Sequence, residues 1–360
     1  MVVNHVTQTL GEICAPADYS GDIYFLAKAN ADPKIIMLML LQGMGSLGNA
    51  IFFICTAWFL VGKKGYARKK AFSMLCTVWF ISIFVLGICF IFYPETLSTS
   101  AIVRHLFPTT FKNNWYTTCY IVFLFIYPWL NKIIETIDQR QLLRIVMFTG
   151  IIWIFGVFLL GECFFSTSLT LWVAIYFLIA YVKIYCTRVT TSVKAGIVLL
   201  TVGIIGYILQ VLVTDYVGLY ISDFFGVRVL RWSVTSSPFY IMLTLGALII
   251  SLHAKFKNRF INYVSSLSMF IYLFHENSFG YCMRYDILKK LFERFGKHHV
   301  VLIDIGFSAA LFIFCAAISF VYKETIQKAV KHISDKLYLF VARAYNYVEN
   351  KIIAKDIQNG

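Results

Sequence analysis

The sequence predicts an all-α protein that crosses a lipid bilayer many times. Of its 360 residues, 59% are hydrophobic and only 14% are charged, and the mean hydropathy is +0.74. Apolar runs of about twenty residues, the length that a helix needs to cross ~30 Å of hydrocarbon, recur along nearly the whole chain. This composition excludes a soluble globular domain.

Nine of these runs are predicted to be full membrane spans. They cover residues 35–62, 71–93, 115–131, 145–165, 168–186, 195–214, 236–254, 262–279 and 299–322. The short apolar segment 1–10 precedes them without a basic leading region or a cleavage motif, so it is not predicted to be a signal peptide. It is either the outer end of a tenth helix whose beginning is absent or a disordered tail.

The distribution of basic residues predicts the orientation. The net charge is +14, but most lysines and arginines lie in short connectors between apolar runs and in the C-terminal tail. This placement is a topology signal, so we expect no nucleic-acid partner, and it puts the C-terminus in the cytoplasm of a multi-pass cell-membrane protein. We predict a membrane domain over residues 1–322 and a basic amphipathic tail over 323–360. The tail would lie on the anionic inner leaflet or, alternatively, bind a partner.

The cysteines predict neither a metal site nor a redox site. There are nine, most lie in apolar runs, and none forms a CxxC pair, so they are expected to be small buried hydrophobes. Only Cys14 and Cys282 fall in segments predicted to lie outside the cell, and the sequence leaves open whether they pair.

Ionisable residues in the apolar runs are the first candidates for a functional site. His275, Glu276 and Asn277 lie together in the outer half of the predicted span 262–279, where charge is costly. Counting helical rise places His275 and His5 at similar depths, about 8 to 9 Å below the outer surface. Histidine suits a general base because its pKa is close to physiological pH. We therefore expect the two histidines to converge on one pocket.

Other polar residues allow two interpretations each. Glu162 and Asp304 could orient a histidine, or could cap a backbone group or pair with a lysine. Trp115, Tyr116 and Tyr120 open the third predicted span, where such residues commonly form the interfacial belt, although their rings could also stack on sugars. The predicted external loops contain further basic side chains that are either solvated or functional: His105, Arg228, Arg231 and Arg284.

Five segments, in this order, resemble acyltransferase family 3, a family of integral-membrane O-acyltransferases, in its surface-polysaccharide type. They are residues 2–6 (Val-Val-Asn-His-Val), 52–57 (Phe-Phe-Ile-Cys-Thr-Ala, with Thr-Ala where the family has Ser-Gly), 115–131 (Trp-Tyr-Thr-Thr-Cys-Tyr through Pro-Trp-Leu-Asn), 237–238 (Ser-Pro) and 270–277 (Phe-Ile-Tyr-Leu-Phe-His-Glu-Asn), with Arg284 following at a familiar distance.

The resemblance implies transfer of an acyl group, most simply acetyl from acetyl-coenzyme A, to a hydroxyl of a cell-surface or lipid-linked glycan, without a metal. It implies His5 as the general base. His275, Glu276, Asn277, Arg284, Trp115, Tyr116 and Tyr120 would bind the glycan acceptor.

Two alternatives remain at this point. The family places an arginine about three turns before the first-helix histidine, and the sequence begins after that position, which allows an inactive truncated remnant. A transporter or flippase is the other alternative, but the histidines lie toward one face and no internal repeat is visible, which favours the enzyme.

Overall fold

The protein is almost entirely helical in the part of the chain that can be described. The computed structural model describes residues 2–14, 33–65, 67–111, 114–159, 168–221 and 237–359, and these ranges contain no β-strand. The prediction of an all-α protein is confirmed.

Fourteen α-helices are described in these ranges. In chain order they are α1 (Val2–Cys14), α2 (Pro33–Leu60), α3 (Arg68–Phe92), α4 (Thr99–Leu106), α5 (Trp115–Thr136), α6 (Gln139–Ile151), α7 (Ser168–Tyr185), α8 (Val193–Tyr220), α9 (Pro238–His253), α10 (Arg259–Ser266), α11 (Ser268–His275), α12 (Ser278–Phe295), α13 (Val300–Val321) and α14 (Gln327–Asn359). A single turn, Thr187–Thr190, separates α7 from α8. Two π-helical stretches, Ile152–Leu159 and Tyr322–Ile326, extend α6 and join α13 to α14.

Six helical segments in the described ranges are long and apolar enough to cross a membrane. They are Met37–Leu60, Arg68–Phe92, Trp115–Thr136, Ser168–Tyr185, Val193–Gly218 and Lys297–Ala344. The predicted count of nine spans is not confirmed. The predicted span 236–254 corresponds to α9, which has 16 residues, and the end of the predicted span 145–165 lies outside the described residues.

The predicted span over 262–279 is not confirmed, because the segment is not one continuous helix. The chain forms α10 and α11 instead, interrupted at Leu267, and stops being helical at Glu276 and Asn277 before α12 begins. Hydropathy could not indicate the break at Glu276 and Asn277, because both residue types are compatible with a helix. The Asn277 amide donates to the carbonyls of Leu273 (2.9 Å) and Phe274 (2.7 Å), so a side chain satisfies carbonyls that a continuing helix would have used.

The described chain divides into two compact units. Unit A consists of Met1–Lys64, Tyr127–Ser265 and Gly280–Phe314, and unit B of Gly65–Ile126, Ser266–Phe279 and Cys315–Gly360. The predicted boundary between a membrane domain and a basic tail stays a prediction.

In unit A, Asn131 fixes the end of α2. Its amide nitrogen donates to the carbonyls of Leu60 (2.9 Å) and Lys63 (3.1 Å), and its amide oxygen accepts from the Gly62 N–H (3.3 Å) and the Tyr176 hydroxyl (2.6 Å). Lys183 donates to two more carbonyls at this helix end. One buried amide thus uses both of its polar atoms to join α2, α5 and α7.

In unit B, α3 packs against α4, α11 and α14. Lys69 forms an ion pair with Asp335 (3.0 Å), and the Phe72 ring lies 5.8 Å from that of Tyr338. These contacts attach the first part of α14 to the beginning of α3. Binding of the tail to a lipid surface stays a prediction.

Many large apolar side chains of the candidate spans are exposed. In α8 these include Val198 (60% exposed) and Val213 (56%), and in α13 Leu302 (68%) and Ile313 (67%). A soluble monomer would not expose apolar surface on this scale, so these helix faces are suited to lipid.

Candidate functional site

His5 lies on α1, a short helix in unit A that packs against α2. Its side chain is half-buried, and its Nδ1 lies 3.2 Å from Oε1 of Gln8, one turn later. The α1 backbone comes close to α2 at Gly45, where a Cβ atom would collide with Asn4. Glycine at this position therefore permits the close packing of α1 on α2.

Thr7, two residues after His5, makes a buried polar contact with α13. Its hydroxyl is 2.8 Å from Oδ2 of Asp304 and 2.8 Å from the Val3 carbonyl. The Asp304 side chain is fully buried and also accepts from Ser308 (3.3 Å). The sequence allowed Asp304 to cap a backbone group or pair with a lysine; in these contacts it accepts two hydroxyls, one of which belongs to the helix of His5.

Thr9, one turn after His5, makes a second contact, with α12. Its hydroxyl donates to the His5 carbonyl (2.8 Å) and accepts from Nε of Arg284 (2.8 Å). The expectation that Arg284 lies in an external loop is wrong, because it is on α12 and only 4% exposed. Its position links it to the helix of His5; its predicted role in acceptor binding stays a prediction.

Tyr281 adds a third polar contact to α1, the second that comes from α12. Its hydroxyl donates to Oε2 of Glu12 (2.7 Å), and its ring lies 5.6 Å below the Arg284 guanidinium. Burial and the Glu12 carboxylate raise the pKa of Tyr281 to about 12, so the phenol stays protonated and can donate. Three polar contacts thus hold α1 in place. No disulfide joins Cys14 and Cys282, which both remain thiols.

His275 is buried at the end of α11 in unit B. Its Nδ1 is 2.7 Å from the Ile271 carbonyl, and because a carbonyl only accepts, Nδ1 carries a proton and donates it to this carbonyl. The same contact to the carbonyl four residues earlier occurs at His253 (2.8 Å) and His299 (2.9 Å). It is a local feature of histidine near a helix end, and it does not by itself indicate catalysis.

Glu276 and Asn277 occupy the break after α11. The Glu276 N–H bonds to the Tyr272 carbonyl (3.0 Å), and Asn277 caps the helix as described above. Next to them, the rings of Trp115 and Tyr116 meet edge to face at 5.6 Å, and Tyr116 meets Tyr272 at 6.0 Å.

Tyr120, one turn after Tyr116 on α5, contacts a lysine. Its hydroxyl accepts from Lys70 Nζ (3.0 Å), and the ammonium lies 5.5 Å from the ring centre. Tyr120 therefore contacts a lysine of the predicted cytoplasmic connector. Its predicted part in acceptor binding stays a prediction.

The structure places His105 where the sequence did not suggest it. The residue was expected in an external loop, but it lies on α4, is 1% exposed, and contacts two hydroxyls. Ser82 Oγ lies 3.2 Å from its Nδ1, and Ser278 Oγ lies 2.9 Å from its Nε2. Ser82 also donates to the His105 carbonyl (2.9 Å). These partners are 23 and 173 residues away along the chain, so no local pattern could have indicated them.

The predicted site residues thus form two groups. In unit A, His5 is linked to Arg284 through Thr9; in unit B, His275, Glu276 and Asn277 share the end of α11, while Trp115 and Tyr116 form the aromatic group. The convergence of His5 and His275 on one pocket stays a prediction. Glu162, Arg228 and Arg231 lie outside the described residues.

Apolar helices long enough to cross a bilayer, exposed apolar faces and a few buried polar contacts define a multi-pass helical membrane protein. A family model described as an acyltransferase domain, that of acyltransferase family 3, matches residues 2–323, so the chain belongs to this family. The resemblance in the five sequence segments is confirmed. Neither a curated protein nor a solved structure was found to match the chain.

Proposed function

We propose that the protein is a membrane O-acyltransferase that moves an acyl group, acetyl in the first instance, from acyl-coenzyme A to a hydroxyl of a cell-surface or lipid-linked glycan. The observation that supports this most directly is the attachment of α1. Thr7 and Thr9, two and four residues after His5, contact the buried Asp304 and Arg284, respectively. A base that acts on one hydroxyl needs such fixed placement.

In the proposed reaction, the oxygen of the sugar hydroxyl attacks the acyl carbonyl and His5 accepts the hydroxyl proton. The new C–O bond forms as the bond between the carbonyl carbon and its leaving group breaks, and the leaving thiol takes up a proton. His275, Glu276 and Asn277 would hydrogen-bond the acceptor, and Arg284 would bind a polar group on it. Trp115 and Tyr116 would offer aromatic faces to the sugar, with Tyr120 as a further contact.

The donor would bind at the basic connectors. Lys63 and Lys64 are exposed and follow directly after the end of α2, which Asn131 fixes. Two lysines on a fixed turn produce a positive field that suits the phosphates of coenzyme A. If the connectors face the cytoplasm as the sequence predicts, they face the compartment in which the donor is made.

The experiment that tests this function is acyl transfer by the purified protein in liposomes. Acetyl-coenzyme A labelled in the acetyl group is supplied with a lipid-linked glycan fraction, and label on the glycan is measured. We expect His5→Gln to reduce transfer by at least about 100-fold, since glutamine cannot take up the proton. His275→Gln should also cause a large loss.

His299→Gln is the matched control, because His299 is exposed and makes the same backbone contact as His275. It should transfer at the wild-type rate. Transfer by His5→Gln at the wild-type rate would contradict the role of His5. Passage of unmodified glycan across the liposome membrane without label transfer would indicate a transporter and contradict the proposed function.

A further inference from the structure

When the His105 ring is neutral, the hydrogen-bonded series Ser82, His105 and Ser278 in unit B has one proton arrangement that satisfies all three of its contacts. The Ser82 hydroxyl has a single proton and donates it in a hydrogen bond to the His105 carbonyl (2.9 Å), which can only accept. The Ser82 oxygen must then accept from Nδ1–H of His105 (3.2 Å). The lone pair of the ring is therefore on Nε2, and the Ser278 hydroxyl donates to it (2.9 Å).

This arrangement has the three parts of an activated nucleophile. A serine hydroxyl donates to the basic nitrogen of an imidazole, and the other ring nitrogen is oriented by a third group. Ser82 is 4% and His105 1% exposed, whereas Ser278 is half-buried, so a substrate can reach the nucleophile while the base is shielded from water. Burial lowers the pKa of His105 from its ordinary value of 6.5, which keeps the imidazole neutral and able to accept a proton.

The position of these three hydrogen-bonded residues along α3 also suits reaction with an acyl donor. Ser82 lies fourteen residues after Arg68 and ten before Phe92, so it is about 21 Å from one end of α3 and about 15 Å from the other. Trp79 Nε1 donates to the Leu106 carbonyl (3.0 Å), which holds α4 beside the same part of α3. The Ser278 hydroxyl is therefore near the middle of a candidate membrane span, between the predicted donor and acceptor sides.

We infer that Ser278 is a nucleophile that carries the acyl group as a covalent ester between donor and acceptor, with His105 as its general base and Ser82 as a positioning residue. This inference rests on the proposed function and divides its acyl transfer into two steps.

In the first step, Ser278 Oγ attacks the carbonyl carbon of the acyl thioester and its proton moves to His105 Nε2. The C–O bond forms, the C–S bond breaks, and the departing sulfur takes the proton from the imidazolium, which restores neutral His105. In the second step, the oxygen of the sugar hydroxyl attacks the ester carbonyl carbon, and the bond between that carbon and Ser278 Oγ breaks. The sugar hydroxyl gives up one proton and Ser278 Oγ takes up one, so the protons balance.

The test is a search for the ester on the protein. Purified protein in liposomes is mixed with acetyl-coenzyme A without a glycan, quenched in acid and digested, and the peptide containing Ser278 is analysed by mass spectrometry. We expect an acetyl group on wild-type Ser278 and none in Ser278→Ala. Ser278→Cys should carry a thioester that neutral hydroxylamine removes. Glycan acylation by Ser278→Ala should fall by at least about 100-fold.

Two further variants separate catalysis from folding. Ser251→Ala is the matched control, since that exposed serine donates to the carbonyl of Ala247 in its own helix (2.7 Å), and the variant should acylate glycan at the wild-type rate. His105→Gln should slow ester formation on Ser278, measured by rapid quench, while the melting temperature shows whether the variant is folded.

Three outcomes overturn the inference: a folded Ser278→Ala that acylates glycan at the wild-type rate, wild-type protein without acetyl on Ser278 after rapid quench, or Ser278→Cys that transfers acetyl without a hydroxylamine-sensitive adduct. The failure of the proposed function is distinguishable, because then the wild type itself puts no label on any glycan.

Discussion

The two units handle buried polar groups in different ways. In unit A, two of the three polar contacts of α1 end on the ionisable side chains of Asp304 and Arg284, and both partners of these two contacts are buried. In unit B, the chain through His105 links two hydroxyls and ends at the half-buried Ser278. A hydrogen bond whose two partners are both buried holds a helix in place. A series of hydrogen bonds that ends at an accessible hydroxyl can exchange a proton with a substrate. Substitutions in unit A should therefore change stability and placement first, and substitutions in unit B should change chemistry first.

Removing the Asp304 carboxylate should have the largest effect on stability. Asp304→Ala loses the hydrogen bonds from Thr7 and Ser308 and leaves space in a buried site. The hydrogen bond to Thr7 joins two helices and contributes about 0.6 to 1.7 kcal/mol, and the loss of the Ser308 bond within α13 brings the expected total to about 2 kcal/mol. The free energy of unfolding in detergent with increasing denaturant is the measurement.

Asp304→Asn is the matched variant because it keeps the shape and an acceptor for Thr7, and it should lose less than half as much stability. Ser308→Ala, which removes only one of the two contacts, should fall between wild type and Asp304→Ala. Equal losses for Asp304→Asn and Asp304→Ala would show that the hydrogen bond to Thr7 does not hold α1.

A double-mutant cycle on Thr9 and Arg284 separates positioning from acceptor binding. If Arg284 acts through Thr9, then Thr9→Val and Arg284→Met each lower kcat by displacing His5, and their effects are not additive. The coupling free energy should be about 1 kcal/mol. The measurement is kcat and KM for the acceptor in all four proteins.

The competing role gives a different result. If Arg284 binds the acceptor directly, Arg284→Met raises KM, Thr9→Val leaves KM unchanged, and the two free energies add. Additivity would thus remove Arg284 from the group that holds α1 and return it to the acceptor-binding role predicted from the sequence.

The sequence predicted what depends on hydropathy and on motifs. The all-α class and the family followed from apolar runs and from residues 270–277 and 115–131, and both are confirmed. It could not predict the break after α11, since the capping by Asn277 is geometric and leaves hydropathy unchanged. Nor could it place His105, because Arg104 and His105 together resemble a solvated loop and the partner Ser278 is 173 residues away. Local pattern indicates elements, whereas contacts between distant polar residues need the fold.

The smallest expected effect is a pH dependence of stability that His105 introduces. Its pKa is lowered by burial from 6.5, so the unfolded chain binds the proton more readily than the folded protein does. Above pH 6.5 the ring is neutral in both the folded and the unfolded state and does not change the free energy of unfolding. As the pH falls below 6.5 toward the pKa of the folded state, the unfolded chain binds the proton first, so the free energy of unfolding decreases. The melting temperature of the wild type should therefore fall between about pH 7.5 and about pH 5.5.

His105→Gln should reduce that slope, since glutamine keeps hydrogen-bonding groups near Ser82 and Ser278 but does not titrate. His299→Gln, at an exposed histidine, should keep the wild-type slope. A His105→Gln slope equal to that of the wild type would show that His105 is not buried as a neutral ring. It would also remove the reason for treating its Nε2 as the base for Ser278, because an imidazole that is protonated at pH 7 cannot accept the serine proton.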